Sequence, residues 1–523
     1  MEEKTVLTID FGTQSVRVAI VNNAGKFLAF EKQPYEKPYF SPKPGYCEQY
    51  PQKYYEYMCM ASKRLSEKNA DLLKKVQSFS ITSFRDSATF LDENFAVVRP
   101  SIIWLDQRQA KLKEKLPKFD SFLFWVIGMR NTIILNRKRC PAHWIKENEP
   151  ENWQKIRHYV PMSSYFNYRL TGVLGDSASN MVGHFPINFA KGKWYKSEKA
   201  LKAVIYGIPT SYLPEIFPTG TVSGKITNMA HMETGLPLDL KMICTGNDKS
   251  CEALGSGAIN ENIAHISYGT ASSVAVTSKK YIESEKFLPS YVCAYPGWYS
   301  SEVQVYRGYW MLSWFLKEFG TEESAEATIE KISPEEVINK KLSEIPPGSN
   351  GLIVQPYWGP GLRRPLAKGS VIGFYDVHTK YHIYRAIIEG IAYELKEGLN
   401  LIKKKTHKKI QYITISGGGS RCDAICQITA DIFNIKVVKP YTYETSSLGC
   451  AIAQFYALKE FKNLDEAKRQ MVKYTKVFTP NAEAAKKYEY LFKNVYTHIY
   501  PELETSYKNL TKYLQENNEG SVE

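Results

Sequence analysis

TVLTIDFGTQSVRVAIVN, residues Thr5–Asn22, joins an apolar run to an alternating run through a tight turn at Gly12-Thr13. Apolar runs and period-two alternation are typical of β-strands, so the segment predicts a hairpin with small polar residues at its bend. The same layout returns far downstream in Ala264–Thr277, which reads AHISYGTASSVAVT. Two matching hairpins predict a duplicated domain.

The two hairpins align without a gap when Gly12 is placed on Gly269. The other matched pairs are Ile9 with Ile266, Phe11 with Tyr268, Thr13 with Thr270 and Ser15 with Ser272.

The chain has material for more than one hydrophobic core. It has 523 residues, of which 43% are hydrophobic and 23% charged. Single cores stop growing near ~250 residues, so two large domains are expected. The sequence contains no apolar run long enough to span a membrane, and the N-terminus lacks the basic and apolar regions of a signal peptide. We therefore expect a cytoplasmic protein with no membrane association.

The basic character of the chain does not identify a partner. The net charge is +14, but the lysines are scattered, and the densest run, KKKTHKK at Lys403–Lys409, is predicted to be a solvated loop. Such a field attracts anionic nucleotides in general without selecting one. We expect no nucleic-acid partner.

The division of the chain is placed near residue 259. Gly220–Gly257 is rich in Gly, Thr and Pro, and Leu254–Asn260 has the composition of a crossover between lobes. The predicted units are residues 1–259, residues 260–500 and a polar C-terminal tail, 501–523.

The second half shows the element order of an α/β protein. A period of 3.6 predicts a helix over Tyr381–Lys403, followed by a strand at Ile410–Ser416 and a helix over Asp423–Phe433. A glycine loop separates that strand from the last helix, and this order belongs to an α/β fold.

Cysteine and histidine patterns do not predict a metal site. The nine cysteines contain no CxxC pair, so buried free thiols are expected. Cys422 and Cys426 lie one helical turn apart, as do His378 and His382, but neither pair has further ligands nearby in the sequence.

The bend of the first hairpin has the residue types of a phosphate site. Gly12 lets backbone amides approach an anion, and Thr13 and Ser15 add hydroxyl donors. Asp10 can orient a hydrated Mg²⁺. A plain β-turn is the alternative, and the second copy at Gly269 weakens it, because two facing bends can hold a polyphosphate between lobes.

Gly417-Gly418-Gly419 lies between a strand and a helix, where missing side chains permit close approach of a ligand. The loop does not match GxGxxG, and GxxxxGK[ST] is absent from the sequence. A tight strand-to-helix turn is the alternative.

Phosphoryl transfer to an alcohol also requires a carboxylate that accepts the hydroxyl proton. Asp248 is the candidate, because it follows the apolar run KMICTG at the lobe junction and precedes the second hairpin. A turn or helix-capping aspartate is the alternative.

These features occur in an order that resembles the FGGY family of carbohydrate kinases, which includes glycerol kinases, xylulokinases, gluconate kinases and autoinducer kinases. The likeness covers nearly the whole chain. The matching fragments are Asp10–Ser15, Pro44–Gln49, Trp104–Arg108, Trp144–Pro150, Tyr168–Gly172, Gly246–Ser250, Tyr268–Ser272, Gly359–Gly361, Gly373-Phe374, Arg385–Ala392 and Ser416–Gly419.

The resemblance implies two actin-like α/β domains with a cleft between them, an ATP donor and Mg²⁺. The first lobe would hold mainly the sugar and the second mainly ATP. Asp248 would be the general base and Asp10 would serve the metal. The implied ATP-binding residues are Thr13, Gln14, Ser15, Gly269 and Thr270 near the phosphates, and Gly417, Gly418 and Gly419 beside the adenosine.

The resemblance also places acceptor contacts at Arg85, Asp86 and Trp104, together with Asp248. A surface ion pair is the alternative for Arg85-Asp86, and a core position is the alternative for Trp104. Glycerol kinases have a tyrosine and a phenylalanine where this chain has Asn136 and Ser273, respectively. The smaller side chains favour an acceptor larger than glycerol, such as xylulose or a related polyol.

Two other classes remain open at this point. An actin- or chaperone-like ATPase would use the twin hairpins without an acceptor pocket, and a sugar-binding regulator would keep the fold without catalysis. The family includes many dimers, so a homodimer is a further open expectation.

Overall fold

The computed structural model describes residues 3–285, 288–358 and 364–517. It confirms an α/β fold. The first predicted hairpin is formed by two antiparallel strands, Thr5–Phe11 and Ser15–Asn22, and the second by Ile263–Tyr268 and Ser272–Ser278. The fragment Gly359–Gly361 lies outside the described residues.

The strands up to residue 243 build the first lobe. In chain order they are β1 Thr5–Phe11, β2 Ser15–Asn22, β3 Phe27–Pro34, β4 Glu48–Gln49, β5 Val76–Ser83, β6 Ala88–Leu91, β7 Val97–Ile102, β8 His158–Pro161, β9 Gly175–Ser177, β10 Ile187–Asn188, β11 Lys193–Trp194, β12 Glu215–Phe217, β13 Val222–Lys225 and β14 Lys241–Ile243. The helices of this part are α1 Pro51–Lys68, α2 Ala70–Leu73, α3 Lys118–Val126, α4 Arg130–Arg139, α5 Pro141–Asn148, α6 Pro150–Lys155, α7 Met162–Thr171, α8 Asn228–Thr234 and α9 Asp248–Gly255.

The second lobe follows. Its strands are β15 Ile263–Tyr268, β16 Ser272–Ser278, β17 Tyr291–Val292, β18 Tyr299–Val305, β19 Ile353–Gln355, β20 Ser370–Ile372, β21 Tyr412–Ser416, β22 Val437–Pro440 and β23 Tyr474–Phe478. The helices are α10 Trp310–Phe319, α11 Thr321–Glu330, α12 Pro334–Lys340, α13 Lys380–Thr406, α14 Asp423–Phe433, α15 Thr445–Ala457, α16 Leu464–Met471, α17 Ala482–Leu491 and α18 Thr497–Asn517.

The main sheets of the two lobes have the same order. The first is β13-β14-β5-β1-β2-β3 and the second is β23-β22-β21-β15-β16-β18-β17. In each, the hairpin strands are antiparallel, and the first hairpin strand also pairs in parallel with a strand from later in the chain, β5 or β21. The repeat predicted from the hairpins therefore extends to the whole sheet.

Each sheet is covered by an amphipathic helix. In the first lobe α1 buries Tyr54, Met58 and Leu65 in the same core as β1 and β2. In the second lobe α13 supplies Ile391 and Leu395 to the core beside β15 and β16. This burial holds the bends of both hairpins at defined positions.

Helices α9 and α15 cross in direct backbone contact. A Cβ atom on Gly449 would lie 1.8 Å from the carbonyl oxygen of Cys251, and one on Gly255 would lie 1.9 Å from the carbonyl oxygen of Thr445. Both distances are far below van der Waals contact, so only glycine fits at either position.

Helix α15 follows residue 259 in the chain but packs on the first lobe. Gln454 accepts a hydrogen bond from the Ser78 hydroxyl at 2.8 Å and donates one to the Leu7 carbonyl at 2.9 Å. The two lobes are therefore joined by buried contacts as well as by the chain.

The structure corrects the assignment of Lys403–Lys409 as a loop. Helix α13 continues to Thr406, so Lys403, Lys404 and Lys405 form its last turn. Cations in the last turn are stabilised by the helix dipole. Only the later part of the run is irregular.

Residues 501–517, which the sequence assigned to a polar tail, belong to helix α18. Tyr507 of this helix is buried, and its hydroxyl donates to Gln355. Residues 518–523 lie outside the described part of the chain.

We predict that Gly449→Ala destabilises the protein, because the new methyl group would overlap the Cys251 carbonyl and force α9 and α15 apart. Overpacking of this kind costs ~1–3 kcal/mol. The variant should unfold at a lower temperature in calorimetry. Gly418→Ala is the matched control, since a Cβ there has no neighbour within 4 Å. Equal unfolding temperatures for the two variants would contradict the crossing as a stability determinant.

Candidate active site

At the first bend, Thr13, which is predicted to bind phosphate, lies beside Trp104, which is predicted to contact the acceptor. The Gly12 amide donates to the Ser15 carbonyl at 3.0 Å, which closes the turn. Thr13 follows, and its hydroxyl accepts a hydrogen bond from the Trp104 indole nitrogen at 3.2 Å. Gln14 is exposed, whereas the Ser15 side chain is buried. Thr13 and Gln14 are therefore the accessible members of this bend.

The glycine loop lies directly on the second bend. Gly417 has φ +80°, and a Cβ there would lie 2.6 Å from the backbone of Tyr268 and 3.0 Å from the Gly269 nitrogen. Because the left-handed backbone and the close approach both exclude a side chain, Gly417 brings the loop against Gly269. Thr270, next in the bend, is exposed.

The other two glycines of the loop differ in surroundings. A Cβ on Gly419 would overlap the Tyr309 ring, with Cε1 only 2.3 Å away. Gly418 is exposed, with no heavy atom within 4 Å of a Cβ placed there. Gly418 is thus the member that faces open space.

Asp248 is the first residue of α9. The helix is capped by the preceding residue, Asn247, whose side chain accepts from the Ser250 amide at 3.1 Å. Asp248 is half-buried, and its carboxylate accepts from the Lys249 amide at 2.8 Å. Burial raises the pKa of Asp248, while the nearby cations Lys249 and Arg85 lower it. Because Asn247 serves as the cap, Asp248 is left available for another role.

A buried hydrogen-bond network connects α9 to the second bend and the glycine loop. Lys249 donates to Glu252 at 3.1 Å and to the Ser267 hydroxyl at 2.6 Å. Glu252 accepts from the hydroxyls of Ser267 at 3.0 Å and Ser416 at 2.6 Å. Ser267 lies two residues before Gly269, and Ser416 precedes Gly417. The ion pair of Lys249 and Glu252 therefore connects the start of α9, the second bend and the glycine loop.

The charges of this network stay ionised in the fold. Burial alone would raise the pKa of Glu252, but the Lys249 ammonium and the Ser416 hydroxyl lower it to about 2. Burial would lower the pKa of Lys249, but the adjacent Glu252 raises it. Removing one partner of a buried, hydrogen-bonded ion pair of this kind is strongly destabilising. Sequence reasoning missed Glu252, although Lys249 and Glu252 have the i,i+3 spacing of a helical ion pair.

Asp10 lies in a group of carboxylates. It is only 4% exposed, and burial raises its pKa from 3.8 to about 7, against the opposing effect of Arg17. The carboxylates of Glu444 and Asp248 raise it further. Arg17 lies 3.5 Å from Asp10 and 3.0 Å from Glu444. The concentration of negative charge is what a cation would relieve.

Arg85 and Asp86 do not pair with each other. The Arg85 guanidinium binds both oxygens of Glu302 on β18, with Nη1 to Oε2 at 2.9 Å. Asp86 instead pairs with His184 at 2.9 Å. Asp86 has a left-handed backbone conformation, with φ +56°. The alternative of a surface ion pair is thus wrong for this dipeptide.

Sequence reasoning missed both partners of the dipeptide. Glu302 is a buried acid in the strand YSSEVQV, where small and apolar residues otherwise predominate. Such an inward charge is a signal of a buried partner. Tyr291 completes this corner, because its ring lies 5.2 Å from the Arg85 guanidinium.

Trp104 is half-buried beside the first bend. Its backbone amide donates to the Ser87 hydroxyl oxygen at 3.1 Å, and its indole nitrogen donates to the Thr13 hydroxyl.

The structure places Asn136 in α4 and Ser273 in β16, where Ser273 is buried opposite Gln304.

Two family models match this chain. Residues 5–255 match the N-terminal domain of the FGGY family of carbohydrate kinases, and residues 264–458 match the C-terminal domain. This chain belongs to the FGGY family of carbohydrate kinases. It is an enzyme that transfers phosphate from ATP to an alcohol group of a sugar, on a two-domain actin-like fold.

Relatives with named activities match almost the full chain. It is 28% identical to the xylulose kinase of Bacillus subtilis (strain 168), covering 97% of this chain and 100% of the relative. It is 26% identical to the gluconokinase of the same strain, covering 97% and 98%. Among solved structures, gluconate kinase from Lactobacillus acidophilus superposes with a TM-score of 0.79 at 23% identity, covering 97% and 100%. The last comparison supports the fold.

The nine cysteines of this FGGY kinase are free, as expected, and six are buried. Within residues 3–285, 288–358 and 364–517, no three His, Cys, Asp or Glu side chains form a preassembled metal site. No helix in the described ranges is long and apolar enough to cross a bilayer.

Mg²⁺ fits the residues around Asp10. This ion takes oxygen ligands and is usually held by one or two carboxylates together with substrate phosphates and water. Asp10 offers such a carboxylate, and its raised pKa indicates a charge that lacks full compensation in the protein alone.

We predict that Asp10 makes the metal-free enzyme less stable as pH rises from about 4 to about 7. Native Asp10 keeps its proton up to about pH 7, whereas the unfolded chain loses it near the ordinary value of 3.8. The native state therefore binds more protons in this window, and its stability falls with pH. Relative to Asp10→Asn, the free energy of unfolding of the wild type should fall by ~4 kcal/mol between pH 4 and pH 7 and should not fall further above pH 7.

Urea unfolding of both proteins at intervals between pH 4 and pH 8, with a chelator present, measures this difference. Parallel stability curves for wild type and Asp10→Asn would contradict the raised pKa.

Proposed function

We propose that this kinase phosphorylates a hydroxyl of a neutral ketose or polyol, with Asp248 as the general base. The observation that carries the proposal is the position of Asp248 at the start of α9, half-buried, uncommitted to capping and electrostatically coupled to Arg85. In the reaction, the Asp248 carboxylate accepts the hydroxyl proton as the acceptor oxygen attacks the γ-phosphorus. The bond to the β-phosphate oxygen breaks, and ADP leaves.

The donor would lie between the two bends. Backbone amides near Thr13 and Gln14 and the bend at Gly269-Thr270 are suited to phosphate oxygens, because small residues leave the amides accessible. The space at Gly418 is suited to the adenosine. Mg²⁺, held by Asp10 and the phosphates, would neutralise charge on the transferred group. Ser15 would support this bend from within the fold.

The charge of the acceptor site favours a neutral sugar. The cations nearest Asp248 are Arg85 and Lys249, and each is already engaged by a carboxylate, Glu302 or Glu252. A carboxylate on the acceptor would therefore face Asp248 without a free counter-charge, which is unfavourable at a buried site. Both kinds of acceptor occur among the relatives, since xylulose is a neutral ketose and gluconate an anion.

Arg85 and Asp86, fixed by their partners, would present the remaining hydrogen-bonding positions to sugar hydroxyls. Trp104 would pack against the carbon skeleton. With Thr13 bound to its indole nitrogen, Trp104 also connects the acceptor side to the phosphate side.

We further propose a cytoplasmic enzyme with no nucleic-acid partner, divided near residue 259 into a sugar lobe and an ATP lobe. Cytoplasmic ATP and Mg²⁺ are the substrates and ion that the site suits. A homodimer stays a prediction, which sedimentation would test.

We predict that Asp248→Ala and the near-isosteric Asp248→Asn lower kcat by ~10²–10⁴ with KM for ATP little changed, because only proton acceptance is lost. A coupled assay of ADP release, run over pentuloses, hexuloses, aldonates and polyols, first identifies the acceptor with the highest kcat/KM. The variants are then measured on that acceptor.

Near-normal turnover in both variants would remove Asp248 from the mechanism. ATP hydrolysis indifferent to every acceptor in the panel would contradict the proposed acceptor class as a whole.

We predict that Glu302→Gln shifts preference toward anionic acceptors, because it leaves the Arg85 charge uncompensated beside the acceptor. A charge-assisted contact of this kind is worth about tenfold in binding. The ratio of kcat/KM for gluconate to that for xylulose should therefore rise about tenfold.

Two controls accompany this variant. Arg85→Gln combined with Glu302→Gln should lose the gain, and Glu318→Gln on the exposed side of α10 should leave the ratio unchanged. An unchanged ratio in Glu302→Gln, or a wild type that prefers gluconate, would contradict the charge argument.

A further inference from the structure

A cavity lies in the first lobe, between the segment 111–118 and helices α3 and α4. Its volume is about 660 Å³, and no candidate active-site residue lines it. Pockets for small molecules commonly have volumes of ~300–1,000 Å³. The cavity is therefore large enough for a ligand of metabolite size.

The lining is strongly basic. Six of its side chains are cationic and one, Glu114, is acidic. The cationic residues are Lys111, Lys115, Lys118, Arg130, Arg137 and Lys138. A concave surface with one sign of charge concentrates ligands of the opposite sign. The lining therefore selects an anion.

Arg137 lies in the wall of the cavity and is only 4% exposed. Its Nη2 donates to the Glu114 carbonyl at 2.8 Å, but its buried Nε has no acceptor among the described residues. Burial lowers the pKa of Arg137. A buried guanidinium with an unused donor is costly, and an anion beside it would lower that cost.

Two aromatic side chains on α3 form the other part of the lining. Phe122 and Trp125 are 56% and 66% exposed, and their ring centroids lie 6.1 Å apart at 29°. Exposed aromatic residues grouped on one face mark binding sites more often than single exposed residues do. Flat aromatic faces beside cations suit a planar ring joined to an anionic group.

We propose that this cavity binds a small organic anion that carries a phosphate group on a planar ring system. The lysines and arginines bind the phosphate, and Phe122 and Trp125 pack against the ring. A small molecule is favoured over a nucleic acid or a membrane, because the guanidinium of Arg137 lies in the wall of a cavity rather than on a flat surface. The proposal is independent of the sugar acceptor and of the role of Asp248.

The test uses 1-naphthyl phosphate as the probe, titrated calorimetrically into the full-length kinase. Saturating adenylyl imidodiphosphate and Mg²⁺ are present, so that the ATP site is occupied. We expect one site per chain, with inorganic phosphate and 1-naphthol each binding at least tenfold more weakly, since each supplies half of the recognised chemistry.

Variants locate the site. Trp125→Ala and Lys118→Gln, both at exposed positions, should each weaken binding of the probe at least fivefold. Lys403→Gln with Lys404→Gln, which removes two lysines at the end of α13, is the matched control and should leave binding unchanged. Arg137→Lys is a conservative change in the wall of the cavity. Its probe affinity is interpreted together with its unfolding temperature.

Two results would overturn the proposal. One is unaltered probe affinity in both Trp125→Ala and Lys118→Gln. The other is the absence of saturable probe binding in the wild type, with or without binding of single-stranded oligonucleotides or anionic lipid vesicles in parallel titrations.

Discussion

The site depends on the backbone contact between α9 and α15. Because Gly255 and Gly449 carry no side chains, the two helices cross at the shortest distance that backbones allow. The starts of both helices then reach polar groups on the hairpins: Lys249 at the start of α9 donates to the Ser267 hydroxyl, and Glu444 before α15 binds Arg17. A wider crossing would move both starts away from the hairpins, so the spacing of the charged groups follows from two glycines.

Buried charges fix the second bend and the glycine loop. Lys249 and Glu252 compensate each other and satisfy hydroxyls from two strands of the second sheet, so the second bend and the glycine loop share one anchor. Asp10 differs, because Arg17 lies at 3.5 Å and is shared with Glu444. The fold thus neutralises the charges that position the loops and leaves the charge that suits a metal partly uncompensated.

The parts that sequence predicted are local. Alternation over Thr5–Asn22 specifies a hairpin, and the 3.6-residue period over Tyr381–Lys403 specifies most of α13, because both depend on near neighbours. The partners of Arg85 and Asp86 are 217 and 98 residues away in the chain, and only tertiary structure brings them close. The run Lys403–Lys409 is predicted to be a loop because it lies between a predicted helix and a predicted strand, whereas the helix dipole stabilises its first lysines in the last turn of α13.

Arg85 and Glu302 belong to different lobes, and this matters for the acceptor. Arg85 follows β5 of the first sheet, and Glu302 lies on β18 of the second, so their pair exists only while the lobes are close together. In that arrangement Glu302 neutralises the guanidinium, and in the proposed site Asp248 is the charge that faces the sugar. Separation of the lobes would expose both charges to water, where screening weakens their influence. The selectivity for a neutral acceptor that we propose would therefore depend on both lobes being close together rather than on either lobe alone.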